Sequence, residues 1–403
     1  METTVWLLGA GASKSYTDSP CGQRMPISRD FFRIWRELPI QDHPWVLQDA
    51  LMAYVLREKN ADPEAYLQSG IDIEELHSEI AERLWQAYPD SPQDAIFNFW
   101  KPYNELIFIF NCAINTIQNG PASKCHARIA SLLKPSDVVI TFNWDTLMDR
   151  ALAENTAWRP DWGYSVIPKK LFRDSWMTPT SAPSTTCPLL LKLHGSTNWI
   201  TSYPIIEAGQ VTLTQASSPD TLYVYEHTTR PYTTYAGRYM DGYQPYSYGY
   251  YPPNILGERG KAIRKGHLLI RARLKVPWRP EGTTDHDGLV SMPIIIPPVK
   301  QKSYELFGSL FSAIWMRAQD ALATARHIVV VGYSFPRTDH RSNRLFLDAF
   351  SGRASVPHVS ILDPAPDRIQ EKFLYEFGIP RDKLTVYRDR FSENFPLEKL
   401  ARL

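Results

Sequence analysis

Five short apolar runs, each bounded by glycine or polar turn residues, limit most strongly what this chain can become: Val5–Leu8, Val138–Thr141, Leu189–Leu193, His327–Val331 and Val359–Leu362. A run with no polar alternation cannot lie half in water, so each reads as a strand buried on both faces of a parallel sheet. Helical periodicities lie between them, over Cys125–Leu133, Asp145–Ala153 and Tyr304–Ala325. Strand alternating with helix predicts an α/β chain, an open parallel sheet with helices on both faces.

Two long segments interrupt that alternation. Ser28–Gln118 holds helix-like stretches, among them Ile73–Tyr88 and Asp94–Gln118, and reads as a helical insertion packed beside the sheet. Thr201 to Lys302 differs in kind: ten of the 21 tyrosines fall between Tyr223 and Tyr251, interleaved with Gly and Pro, as β-rich loops or a small sheet would require. From Arg259 to Arg279 there are eight Lys or Arg and no acid, and alternation over Leu268–Val276 predicts a strand with one basic face. Tyrosines beside such a strand suit nucleic acid, and a solvated packing or oligomer surface explains the same residues.

The balance of 44 Lys and Arg against 43 Asp and Glu leaves a net charge of +1, which removes any global attraction to nucleic acid or an anionic membrane. Hydrophobic residues at 43% and charged residues at 22% permit a sizeable core. No apolar run approaches the ~18 residues of a membrane span. The acid at Glu2 is unlike an export signal. The expectation is a soluble, cytoplasmic protein without a membrane partner. Cys21, Cys112, Cys125 and Cys187 are widely spaced, with no CxxC pair, and predict separate reduced thiols rather than a zinc knuckle.

Chemistry is expected where the strands end, because in an open α/β sheet the carboxyl ends border the ligand crevice. The first strand runs into Gly9-Ala10-Gly11-Ala12-Ser13, small residues that let backbone approach a phosphate closely. Lys14 stands where a third glycine of the dinucleotide fingerprint would fall. The second strand ends Thr141-Phe142-Asn143-Trp144-Asp145. Asn143 offers a donor and an acceptor for a ribose hydroxyl or a water, and Asp145 either caps the following helix or lines the site. The third strand ends Leu193-His194-Gly195, an imidazole suited to proton transfer near neutrality. Gly332-Tyr333-Ser334 and Asp363-Pro364 end the fourth and fifth.

Taken in order, these segments resemble the sirtuin-like proteins, and within them the Sir2-type NAD hydrolases of bacterial anti-phage defence. The resemblance rests on Gly9–Ser13, Thr141–Asp145, Leu193–Gly195, Gly332–Ser334 and Asp363, and covers about half of the chain. It implies a Rossmann-like core built from residues 1–27, 119–200 and 303–390, with insertions over 28–118 and 201–302 and a C-terminal tail over 391–403. It further implies that NAD is bound as substrate, without a metal. Gly9, Ala10, Gly11, Ala12 and Ser13 would lie on the diphosphate, Ser334 and Gly332 near the same phosphates or ribose, and Asp363 on the adenosine ribose. Thr141 belongs to the same binding set. Asn143, His194 and Asp145 would form the catalytic group at the nicotinamide ribose.

Deacylating sirtuins carry a four-cysteine zinc module between the LHG and GYS motifs, and here that interval contains no cysteine. The resemblance therefore implies hydrolysis of NAD to nicotinamide and ADP-ribose rather than deacylation. It implies latent activity, a homo-oligomer, and activation by a partner such as a HerA-type ATPase or, alternatively, a short Argonaute. A non-catalytic sensor of NAD or ADP-ribose, and a DNA-binding subunit, are the competing readings.

Overall fold

Each of the five apolar runs forms a strand, and a sixth strand joins them: β1 (Thr4–Leu8), β2 (Val138–Thr141), β3 (Leu189–Lys192), β4 (His327–Val331), β5 (His358–Leu362) and β6 (Leu384–Tyr387). The computed structural model describes residues 3–38, 49–87, 93–173, 175–181, 186–203, 206–207, 212–213, 222–226, 267–268, 290–299, 308–336, 339–351, 353 and 355–401. All six strands pair in parallel, in the spatial order β6-β5-β4-β1-β2-β3. Every residue of β2 and β4 is buried, as strands covered on both sides require. β6 at the edge is only half-buried throughout, and its sequence Leu-Thr-Val-Tyr lacks the continuous apolar run that marks the others.

The order is that of a Rossmann-like doubly wound sheet. From β1 the chain steps outward through β2 to β3, then crosses back and steps the opposite way through β4, β5 and β6. Right-handed crossovers in opposite directions place their helices on opposite faces. Numbering helices in chain order from α1 (Ala10–Ser13), one face takes α7 (Lys124–Leu132) and α8 (Leu147–Asn155), which touch each other. The other takes α9 (Gly308–Thr324) and α10 (His340–Phe350), also in mutual contact.

Between β1 and α7 lie α2 (Phe31–Glu37), α3 (Asp49–Lys59), α4 (Pro63–Gln68), α5 (Ile73–Ala87) and α6 (Gln93–Ile117). Helix α5 buries Ile73, Leu76, Ile80 and Leu84, spaced three and four apart, on the side that meets α6. From α6, the buried Glu105 carboxylate accepts the backbone N–H groups of Ala50 at 3.2 Å and Leu51 at 2.7 Å. It thereby caps the first turn of α3 from another helix. A mixed sheet runs in the order Val290–Ile295, Gly195–Tyr203, Tyr223–Tyr225, Lys170–Arg173, Ser175–Met177. The basic strand expected over Leu268–Val276 lies outside the described residues except at Leu268, as does most of the Tyr223–Tyr251 segment.

Residues 391–401, expected as a tail, dock on the body. Phe391, Phe395, Leu397 and Leu400 are buried, and Arg128 of α7 donates to the carbonyls of Glu393 at 2.7 Å and Phe395 at 2.8 Å. No helix among the described residues is long and apolar enough to cross a membrane.

Candidate functional site

The chain reverses direction across the sheet between β1 and β4, and the turns leaving these two strands interlock. Gly9 donates its N–H to the carbonyl of Val331 at 3.1 Å, Gly11 to Gly332 at 2.9 Å, and Gly332 in turn to Leu362 at 3.1 Å. Gly332 has φ +60, and a Cβ there would stand 2.6 Å from the backbone of Gly11. Three residues on, Phe335 also adopts a left-handed backbone, with φ 50. That conformation costs a non-glycine residue about 1–2 kcal/mol. The Phe335 ring offsets it by packing against Phe346, Phe373 and Phe377 at centroid distances of 5.1, 5.8 and 5.7 Å. Between the two left-handed residues Ser334 is exposed, and its hydroxyl has no protein partner among the described residues.

At the end of β2, Thr141 Oγ1 donates to the carbonyl of Leu8 at 3.0 Å and accepts the N–H of Asn143 at 3.0 Å. Asn143 Nδ2 donates to Gly9 O at 2.7 Å and Ser13 Oγ at 2.8 Å, and Ser13 Oγ donates to Asp145 Oδ2 at 2.6 Å. Asp145 serves the helix that follows, as one of its two expected roles requires: Oδ1 accepts the N–H of Leu147 at 3.1 Å in the first turn of α8. Both amide hydrogens of Asn143 thus serve the β1 turn, which leaves Oδ1 as the atom it can offer a ligand.

Beneath this chain, the fully buried Lys192 ammonium donates to the carbonyl of Asp145 and to Asp149 Oδ2, the latter at 2.9 Å. Tyr164 donates to the other carboxylate oxygen of Asp149. Gln118, at the end of α6, joins the start of α8 to the strand Gly195–Tyr203: Oε1 accepts the N–H of Thr146 at 2.7 Å and Nε2 donates to Thr197 Oγ1 at 3.2 Å.

His194 follows β3 and is only 4% exposed. Gly195 after it has φ +80, and a Cβ there would strike Ile294 O at 1.9 Å, so only glycine lets the chain turn away here. The imidazole lies against Phe142 at 5.0 Å and Trp144 at 5.8 Å between centroids. Its Nε2 stands 3.5 Å from Asp339 Oδ2. Asp339, Tyr333 and Lys192 were not foreseen as site residues. An aspartate ahead of an amphipathic helix reads as a cap, which hid Asp339.

These strand ends open on a cavity of ≈ 1380 Å³. Nine of the twelve residues singled out from sequence line it: Ala10, Gly11 and Ser13 after β1, Asn143 and Asp145 after β2, His194 after β3, Gly332 and Ser334 after β4, and Asp363 after β5. Gly9, Ala12 and Thr141 are buried behind that wall and shape it. Asp363 accepts the N–H of Ala365 at 2.8 Å, while burial pushes its carboxyl above the usual carboxylate range. The helical insertion contributes Phe110 and Ile114 of α6, and the C-terminal segment contributes Phe391 to Asn394.

The wall fits a dinucleotide. Gly11 and Gly332 bring bare backbone to the surface, and the N–H of Ala10 at the start of α1 has no protein acceptor among the described residues. Asp363 and Asn143 offer acceptors for ribose hydroxyls on opposite sides of those turns. The Arg24 and Arg390 side chains at the cavity rim form no ion pair among the described residues and carry the charge a diphosphate requires. Among the described residues no group of three or more His, Cys, Asp or Glu is arranged to hold a metal ion.

No family model matches the chain, and no curated protein does. Among solved structures it is similar to a complex of a mutant Sir2 homologue with ADP-ribose, at 14% identity over 96% of this chain and 87% of that one, with a TM-score of 0.32. A structure described as the structural basis of sirtuin substrate affinity is 12% identical over 96% of this chain and 89% of that one, with a TM-score of 0.30.

Proposed function

We propose that this chain is an NAD glycohydrolase, cleaving NAD to nicotinamide and ADP-ribose. One observation carries the reading: interlocked glycine turns at the reversal of the sheet share a single cavity with His194 and Asn143 on one side and Asp363 on the other. NAD would lie extended across the turns, its diphosphate on Gly11 and the Ala10 N–H and its adenosine ribose on Asp363. The nicotinamide ribose would reach His194.

The C–N glycosidic bond breaks with its electron pair leaving on neutral nicotinamide, through an oxocarbenium-like transition state. Water then adds to the ribose carbon and gives up one proton. Asn143 Oδ1 orients that water, and His194 takes the proton as general base. Asp145 holds Ser13 and the α8 N-terminus, and so keeps Asn143 in place. The motif resemblance extends the proposal to NAD depletion in anti-phage defence, by a latent cytoplasmic homo-oligomer released by a HerA-type ATPase or, less favoured, a short Argonaute.

Nicotinamide release from NAD by the purified chain, alone and with candidate ATPase and DNA, tests this. Release that is lost in His194→Ala and Asn143→Ala is the expected result. Tight NAD binding with no release under any condition would leave a sensor module, and no binding would overturn the reading.

A further inference from the structure

We propose that Asp339 is a positioning residue for His194, holding the imidazole in one orientation and favouring its protonated form as it accepts a proton. The inference deepens the hydrolase reading and rests on it for the reaction, not for the geometry.

Asp339 Oδ2 stands 3.5 Å from His194 Nε2, with the two side chains 1% and 4% exposed. At that burial a carboxylate is little screened by water. Asp339 occupies the N-cap position of α10, an eleven-residue helix, yet its side chain caps no N–H of that helix. Instead Oδ2 accepts the hydroxyl of Tyr333 at 3.1 Å, and the Tyr333 ring stacks on Phe142 at 4.5 Å, the same Phe142 that flanks His194.

Both backbones are anchored. Asp339 donates its N–H to Pro336 O at 3.0 Å and receives the Ser342 hydroxyl on its carbonyl at 2.8 Å. On the other strand Ile296 donates to His194 O at 2.8 Å, and Trp315 Nε1 donates to Leu193 O at 3.1 Å. The carboxylate and the ring are therefore presented to each other by two rigid segments, as the orienting member of a proton-transfer pair requires. Among the described residues, Asp339 faces the ring at 3.5 Å, Tyr333 donates to that carboxylate, Asp145 lines the same cavity with Lys192 bonded to its carbonyl, and the Arg341 guanidinium lies 4.6 Å over the Trp315 ring. Water loses its proton to the ring nitrogen turned away from Asp339, and the imidazolium so formed rests beside the carboxylate. Asp339 itself takes no proton.

The test has a substrate-free arm. In protein with ¹⁵N-labelled histidine, the His194 signals are assigned by their loss in His194→Gln and followed against pH. Wild-type His194 is expected in the Nε2–H tautomer when neutral, and Asp339→Asn is expected to lower its titration midpoint by about one unit or more, because the anion that favours imidazolium is gone. Asp339→Glu is expected to restore most of the shift. In turnover, Asp339→Asn should lower kcat about 10²-fold or more with KM within about twofold, and move the acid limb of the rate to lower pH. A His194 titration unmoved by Asp339→Asn, or a neutral Nδ1–H tautomer in the wild type, overturns the pairing. A shifted titration in a protein that never releases nicotinamide would keep the pairing and sink the hydrolase reading instead.

Discussion

Gly11 and Gly332 touch backbone to backbone: the N–H of one donates to the carbonyl of the other at 2.9 Å, and a Cβ on Gly11 would stand 2.8 Å from the Cα of Gly332. The contact joins the turns of the two strands between which the chain reverses. Neither turn can be remodelled without the other, and the cavity wall inherits their rigidity.

Gly332→Ala combines a left-handed backbone with close backbone contacts, and it should cost about 2–5 kcal/mol of stability. Gly378 has φ +69 with open space around it, so Gly378→Ala should cost only about 1–2 kcal/mol. Urea unfolding of both variants measures the difference, and equal losses would show that the close approach to Gly11 is not what demands glycine.

Removing Lys192 would strand the Asp149 carboxylate in a buried site. Lys192→Met should therefore cost about 3–5 kcal/mol, and Asp149→Leu added to it should recover part of that loss. A double-mutant cycle by denaturant unfolding checks this; strictly additive losses would argue against the pairing.

Gln118→Leu leaves the buried N–H of Thr146 without its acceptor and unlinks it from Thr197. A loss of about 1–3 kcal/mol is expected, with faster amide exchange at Thr146 read by NMR. Unchanged exchange there would mean that the start of α8 and the strand Gly195–Tyr203 hold together without the carboxamide.

Acid should destabilise the fold before any carboxylate titrates in the usual range. Burial lowers His77 to about 3, opposed by its bond to the Tyr103 carbonyl, and burial lowers His126 to about 4, with Asp145 opposing and Lys192 assisting. Both are neutral in the folded chain, whereas the unfolded chain binds protons at ~6.5. Stability contributed by these neutral rings is thus full above ~6.5 and falls as pH drops from there toward 4, by about 2 kcal/mol per histidine at pH 5. Urea midpoints at pH 7 and pH 5, compared with those of His77→Leu, report it. A variant as acid-sensitive as the wild type would contradict the assignment for His77.

The sheet was legible because β1 through β4 carry uninterrupted apolar runs and β5 breaks its own only at Ser360, a pattern that suits strands buried on both faces. Edge strand β6 was not, since Thr385 and Tyr387 are as suited to a loop as to a half-exposed strand. His194 could be read from its place between a strand and a glycine. Asp339 could not, because nothing in Asp-His-Arg-Ser-Asn distinguishes a carboxylate that caps a helix from one that faces an imidazole on another strand. Lys192 gives a lysine where buried charge is rare, and only the fold reveals Asp149 and Asp145 as its partners. The docking of residues 391–401 was within reach, for Phe391, Phe395, Leu397 and Leu400 are too apolar for a solvated end.

That docking also sets a schedule. One wall of the cavity comes from residues near 10 and another from residues near 394, so a growing chain holds no finished pocket until this late segment has been joined. A chain engaged on its ribosome would have five of the six strands of the sheet well before it had the compartment they open on, and whatever chemistry that compartment performs would wait for the segment at 391–394.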